Sequence, residues 1–287
     1  MLHRSRVALT AALVVTTLVG AADPLCSAQS ASTPTSGDQK RSLWIEEAQR
    51  DIPYRLYVPS RWAPAHHLPL VVLFPGGGQD ENAAFDQEPA ELQGVVARTA
   101  EKHQFVLLAL GSQGTRLGAV FTIPRGMQQI VRNITPEANH VGELAAARII
   151  NRVASDFDVN RARIYLMGNS MGEVVTLHFA QQYPGKWCAI APSDGPFENP
   201  DFPFERLHYL SAARFIHGDH DTNALMEPNR AIAEKVRQAG VETQFVVVPG
   251  GTHRSAWYIA LPDTFEFFDR HRCASHASAE QTEVSGS

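Results

Sequence analysis

Short apolar runs rich in β-branched residues recur along this chain: "PLVVLF" (Pro69 to Phe74), "FVLLAL" (Phe105 to Leu110), "RIYLMG" (Arg163 to Gly168), "WCAIAP" (Trp187 to Pro192) and "QFVVVP" (Gln244 to Pro249). "ARFIHG" (Ala213 to Gly218) is a weaker sixth. A continuous apolar run, rather than an alternation, is what a strand covered on both faces requires. Helical patterns lie between the runs. Ala146, Ile149, Ile150, Val153 and Phe157 fall on one stripe, and Ile232 and Val236 do so ahead of Gly240, a natural helix stop. Strands alternating with amphipathic helices predict an α/β fold, a mostly parallel central sheet with helices on both faces. Nearer the start, "LWIEE" and "YRLYV" predict an antiparallel pair at the sheet edge.

The ends are different. Met1 to Arg6 carries His3, Arg4 and Arg6, Val7 to Val19 is uncharged and apolar or small, and Gly20, Ala21, Ala22, Ser27 and Ala28 follow. A basic start, a short apolar run and small residues make a secretory signal; the run is short for a membrane span, which takes about 20 residues, and an uncleaved anchor is the alternative reading. The expected organisation is a signal peptide over residues 1–28, cut after Ala22 or Ala28, a polar linker over 29–41, a single domain over 42–273 and a disordered polar tail over 274–287. That places the protein outside the cytoplasm, secreted or periplasmic, with no membrane span once the signal is removed. A cut after Ala28 leaves Cys188 and Cys273, an even number in an oxidising compartment, either bridged or present as two buried thiols. With a net charge of −5 and no basic run, the chain has no footprint for nucleic acid or an anionic membrane. No Cys/His spacing suggests a metal, and no cofactor is expected.

"YLMGNSMGEV" (Tyr165 to Val174) brackets Ser170 with Gly168 and Gly172 where a buried strand gives way to a helix that runs to about Tyr183, before Pro184 and Gly185. The glycines either make a tight turn or clear space for an exposed, strained serine hydroxyl. A helix starting there aims amide N–H groups at any anion formed. A serine hydroxyl is inert at neutral pH without a base. His253, in "VVVPGGTHRSAW", follows the last strand on a glycine-rich loop, where open parallel sheets place their ligands. The base needs a carboxylate to fix its tautomer, and the candidates are Asp219 and Asp221 in "FIHGDHDTN" and, after the preceding strand, Asp194. Asp219 is still in the exit turn, whereas Asp221 lies far enough out to turn back to the His253 loop. "LFPGGGQD" ends the first buried strand on Gly76, Gly77 and Gly78, whose amides can approach an oxyanion closely, with the Met171 amide as partner.

"RIYLMGNSMGEVVTLHFAQQYPGKWCAIAP", "FIHGDHD" and "GGTHRSAW" together resemble the α/β-hydrolase superfamily from roughly Trp44 to His271. Within it the chain is similar to the secreted polyhydroxybutyrate depolymerase-like and feruloyl-esterase-like branch, which has prolyl-oligopeptidase-like relatives. The resemblance implies Ser170 as nucleophile, Asp221 as acid, His253 as base, and Gly77 with Met171 as oxyanion donors. It also implies hydrolysis of a small-molecule or polymer ester through an acyl-enzyme. Peptide hydrolysis on the same fold and a non-catalytic binding protein are the competing readings. Two positions depart from the family pattern. Glu173 stands where a further glycine is common, and its charge near the oxyanion would cost rate. Pro75-Gly76 replaces His-Gly, and because proline has no N–H, Gly76 or Gly77 must donate. Two aromatic-bearing excursions, Gly111 to about Asn139 (Phe121, Met127, Ile130) and Asp194 to Tyr209 (Phe197, Phe202, Phe204), either cap an apolar acyl group or pack on the sheet.

Overall fold

The computed structural model describes residues 34–111, 136–195, 199 and 201–273. Its strands are β1 (Gly37–Ile45), β2 (Arg50–Val58), β3 (Leu70–Phe74), β4 (Val106–Leu110), β5 (Ile164–Asn169), β6 (Ala189–Ser193), β7 (Ala212–Gly218) and β8 (Glu242–Val248). Its α-helices are α1 (Ala83–Asp86), α2 (Val95–His103), α3 (Pro136–Asp156), α4 (Met171–Gln182), α5 (Met226–Gln238) and α6 (Ala256–Arg270). The strands form one sheet in the order β1-β2-β4-β3-β5-β6-β7-β8. From β4 across to β8 all neighbours pair in parallel, and β1 and β2 add an antiparallel margin, as the sequence predicts.

Alternate residues of each central strand feed two separate cores. Leu70, Val72 and Phe74 of β3 face one side, with Ile149 and Val153 of α3, Leu177 of α4 and Ile232 of α5. Val71 and Leu73 face the other, with Val96 of α2 and Leu261, Phe265 and Phe268 of α6. The period of two along a strand is what splits one apolar run between two faces. All five residues of β3 are buried, each contributing roughly 1.5–3 kcal/mol of transfer free energy. That explains why the run had to be uninterrupted.

Two expectations need correction. The polar linker over 29–41 is too long, because β1 begins at Gly37 and pairs along its whole length with β2, Gly37 opposite Val58. Its residues alternate in exposure, so a half-covered edge strand passes for polar linker when composition alone is read. "QFVVVP" is not buried on both faces either. It forms β8 at the free edge, with Val247 exposed and Phe245 and Val246 half-covered. Of the two alternatives for the cysteines, the structure has the thiols: Cys188 is buried and Cys273 partly buried, both free.

Chain order along the sheet reverses at β3. From there the path goes to β4 on one side, then returns to β5 on the other. The C-terminal ends of β3 and β5 therefore flank a topological switch point, where open α/β sheets hold their ligands. The loops after β3, β5, β7 and β8 carry the residues the sequence singled out.

Candidate active site

Ser170 closes β5 and caps α4 in a conformation side chains rarely adopt, φ 57° and ψ −121°. Strain of this kind costs about 1–3 kcal/mol and persists only where the surroundings enforce it. Here they do. A β-carbon on Gly172 would lie 1.9 Å from the Phe74 carbonyl oxygen, and one on Gly168 would lie 2.1 Å from the Gly172 oxygen. Both glycines are thus fixed by backbone packed against backbone, not by turn geometry alone. The Ser170 N–H donates to the Ser193 carbonyl at 2.8 Å, and its own carbonyl accepts from the Glu173 N–H at 2.9 Å. The turn is locked on both sides, and the half-buried hydroxyl is left facing the β8 loop.

Across from it, His253 Nε2 lies 2.9 Å from Ser170 Oγ, and His253 Nδ1 lies 2.8 Å from Asp221 Oδ2. The other Asp221 oxygen accepts from the Asn223 and Ala224 amides at 2.7 and 3.0 Å. Burial alone would raise the Asp221 carboxyl, whose side chain has no exposed surface. The hydrogen bonds from His253, Ala224 and Asn223 outweigh that and hold it below the usual carboxylate range. It therefore stays ionised at neutral pH. The three residues named from the sequence are brought into one hydrogen-bonded line.

The two other aspartates do different things. Asp219 Oδ1 accepts from the Gly250 N–H at 2.7 Å, tying the loop after β7 to the loop that carries His253. Its neighbours complete the tie, the Asp219 N–H donating to Val248 and the His220 N–H to Gly251. Asp194 does not touch His253. It is fully buried, in a left-handed conformation (φ 50°), and its carboxyl accepts from the Gly218 N–H at 2.9 Å and from the Ser193 hydroxyl. Burial pushes it well up, and the neighbouring Asp221 adds to the shift.

Glu173 departs from the charge expected of it. The side chain is completely buried, and burial raises it to about 8, with Asp194 adding to the rise against hydrogen bonds from Gly195 and Asn229. At neutral pH the neutral acid is therefore the favoured form, which removes most of the negative charge expected at the start of α4. Its bulk is accommodated by a second glycine. A β-carbon on Gly195 would lie 2.1 Å from the Glu173 carboxyl carbon, and the Gly195 N–H donates to Glu173 Oε2 at 3.0 Å.

On the oxyanion side, the Gly76 N–H is already committed to Gln79 Oε1 at 2.7 Å. Gly77 is packed against Met171, where an added β-carbon would meet Met171 Cγ at 2.9 Å. The Met171 N–H is the first amide of α4, one of the donors a helix leaves unpaired at its start. Of the two glycines the missing proline N–H left open, Gly77 is the one placed beside Met171. A crevice opens next to this point between the end of β3, α1 and the start of α6, lined by Pro75, Gln79, Ala84, Asn169, Arg254 and Trp257.

Sequence reasoning missed Asn169, His217 and Asn229. Asn169 donates to the His253 carbonyl at 3.1 Å and so braces the loop after β8; no local signal marks it. Asn229 is 1% exposed and donates to Glu173 Oε2 at 3.2 Å. It had a signal, since it stands at helical spacing with Ile232, Ala233 and Val236, a polar residue on an apolar stripe. The aromatic residues Phe202, Phe204 and Tyr209 pack against the α3–α4–α5 core rather than the triad, and Tyr209 donates to the Ala180 carbonyl. Phe121, Met127, Ile130 and Phe197 lie outside the described residues, as do the signal and the tail.

Residues 45–201, more than half of the chain, match the family model described as "Putative esterase". That span holds Gly77, Ser170 and Met171 and ends before Asp221 and His253. Among solved structures, the chain is similar to FphF, a fluorophosphonate-binding serine hydrolase of Staphylococcus aureus (14% identity, 82% of this chain and 99% of that one, TM-score 0.62). It is also similar to a ferulic acid esterase (15%, 82% and 99%, TM-score 0.62) and to the S-formylglutathione hydrolase FrmB of Staphylococcus aureus (16%, 83% and 99%, TM-score 0.60). At these identities the likeness is one of fold, that of the α/β-hydrolases. No curated protein sequence matches.

Proposed function

The chain belongs to the esterase family, and from that premise we propose that this carboxylic-ester hydrolase works through an acyl-enzyme on Ser170, with His253 as base, Asp221 as its orienting acid, and the amides of Gly77 and Met171 as oxyanion donors. One observation carries the reading: the line from Ser170 Oγ to His253 Nε2 at 2.9 Å and from His253 Nδ1 to Asp221 Oδ2 at 2.8 Å. In the first half-reaction Ser170 Oγ attacks the ester carbonyl carbon as its proton passes to Nε2. The carbonyl oxygen becomes an oxyanion held by the two amides, and each such donor is worth about 3 kcal/mol in related sites. Collapse expels the alcohol, which takes the proton from Nε2, and leaves an acyl-serine. Water then repeats the sequence and releases the acid. Asp221 keeps Nδ1 protonated and stabilises the imidazolium without taking the proton itself. The Pro75–Trp257 crevice, lined by apolar Leu73, Ala84 and Trp257 and by polar Gln79 and Arg254, supports a substrate group lodged beside the reacting carbonyl.

Residues 1–28 are read as an export signal cut after Ala22 or Ala28, and residues 274–287 as a polar tail, which places the enzyme outside the cytoplasm. N-terminal sequencing of the processed protein tests that assignment. The triad is tested by a fluorophosphonate probe together with p-nitrophenyl esters of graded acyl size and a matched p-nitroanilide. Labelling at Ser170, lost in Ser170→Ala, with ester turnover well above anilide turnover, is the expected result. Labelling that survives in Ser170→Ala would move the nucleophile elsewhere, and equal anilide turnover would favour the peptidase reading.

A further inference from the structure

Asp194 sits directly behind Asp221, and the triad scheme gives it no role. A carboxylate oxygen of Asp194, one of Asp221 and a ring nitrogen of His217 lie within 4.8 Å of one another. Neither aspartate side chain has exposed surface. Two carboxylates this close and this dry cannot both stay ionised unless a cation faces them.

Among the described residues, the elements packed around the pair offer it no lysine or arginine partner. From β6, Ser193 offers a hydroxyl. From β7, His217 Nδ1 is 3.8 Å from Asp194 Oδ1 but 3.2 Å from Asn229 Nδ2, whose N–H it accepts. Burial pushes the imidazole towards its neutral form. From α4, Glu173 is a buried acid. From α5 come the neutral Asn229 and, further out, Arg230, partly exposed with its guanidinium over the Phe245 ring. His253 becomes a cation only when it holds a proton at both nitrogens, and its contact is with Asp221.

We infer that Asp194 and Asp221 hold one proton between them, carried by Asp194 and donated to Asp221, which makes Asp194 a positioning residue that fixes the triad acid while leaving the pair a single negative charge. The inference rests on the triad reading. It accounts for three features of Asp194. The backbone is held in a left-handed turn. The two acceptor contacts, Gly218 N–H and Ser193 O–H, are ones a neutral acid can also satisfy. The raised affinity for a proton follows from burial beside Asp221. Asp221 in turn receives a further donor besides His253, Asn223 and Ala224, and such hydrogen bonds to a charged acceptor are about twice as strong as neutral ones.

Asparagine keeps one accepting oxygen, for the Gly218 N–H, and one donating group, at the cost only of the acceptor for the rotatable Ser193 hydroxyl, whereas alanine removes the donor as well. The experiment compares Asp194→Asn and Asp194→Ala with the parent by p-nitrophenyl acetate kinetics and by thermal unfolding, both over about pH 5 to 9, with fluorophosphonate labelling of Ser170 alongside. The asparagine variant should keep kcat within about threefold, and the alanine variant should lose about tenfold or more in kcat with KM nearly unchanged. The unfolding readout has a fixed sign. A carboxyl whose folded pKa is raised contributes stability that is complete below its unfolded value, 3.8, and lost as pH rises through the folded one. The Tm of Asp194→Asn relative to the parent should therefore climb with pH.

An asparagine variant as damaged as the alanine one, with a Tm difference flat across pH, would overturn the shared proton while leaving the triad standing, provided Ser170 still labels. Failure of the parent to label would sink the triad instead. If Asp194→Ala does not fold, the pH dependence of the Asp194→Asn Tm still decides.

Discussion

The Ser170 side and the Asp221 side of this site are held by different physics. Around Ser170 the constraints are steric and mostly local: Gly168 and Gly172 are required because Gly172 O and Phe74 O occupy the space a β-carbon would need. Around Asp221 they are electrostatic and non-local, with Asp194 after β6, His217 on β7, Glu173 on α4 and Asn229 on α5 converging on one water-poor pocket. A steric device fails when atoms are added. A charge device fails when a proton or a donor is moved, with hardly a change of shape. That difference says which substitutions each side should tolerate.

The largest effect that separates them is expected at Asp221. Asp221→Asn preserves volume yet should lower kcat by about 10⁴, because an amide cannot hold His253 in the productive tautomer. Steady-state kinetics at saturating ester, on a variant shown by thermal unfolding to be folded, would bear this out; a loss below tenfold would take the acid role away from Asp221. Next comes Gly172→Ala. One methyl against an immovable carbonyl should cost about 3 kcal/mol or more, read as a lowered unfolding midpoint. A near-parental midpoint would mean that β3 and the elbow can separate, and that the glycine serves turn geometry only.

A smaller loss is expected at Asp219→Ala, which removes the acceptor for Gly250 N–H. With the triad itself intact, the cost of one such hydrogen bond is about 1 kcal/mol, so kcat should fall less than tenfold. A fall as deep as that of the Asp221 variant would erase the distinction between the aspartates. The smallest effect on rate belongs to Glu173→Gln. At neutral pH the side chain it replaces is already mostly uncharged, so turnover near pH 7 should change less than about threefold. Stability shows the difference instead. Glu173 is raised from 4.5 to about 8, so the stability it contributes is complete below its unfolded value and lost as pH rises through its folded one. The parent should lose stability towards alkaline pH that Glu173→Gln keeps, and parallel pH–Tm curves would show that Glu173 is ionised after all.

Much of the framework was legible in the sequence because its causes are short-ranged. Apolar runs such as Leu70 to Phe74 must be strands covered on both faces, and alternate residues must then part between two cores. The glycines either side of Ser170, the glycine loop after β3 and the Ser–Asp–His order are likewise written in stretches of a dozen residues or fewer. Where reading failed, the cause lay in a neighbour remote along the chain. β1 reads as polar linker until β2 pairs with it, and β8 reads as a buried strand until the sheet is seen to end there. Asn229 stood on an apolar stripe, yet its purpose depends on Glu173 and His217 across the fold.

By itself the sequence determined the α/β architecture, the strained serine and the three candidate carboxylates, because backbone sterics and hydrophobic period act over a few residues. Only the tertiary structure decided which aspartate meets His253, that Gln79 takes the Gly76 N–H and leaves Gly77 beside Met171, and that Glu173 is buried against Gly195, where burial favours its neutral form. Those outcomes turn on which donors, charges and water reach a group once distant segments close around it. Burial sets the cost of a charge, and burial is a property of the whole fold.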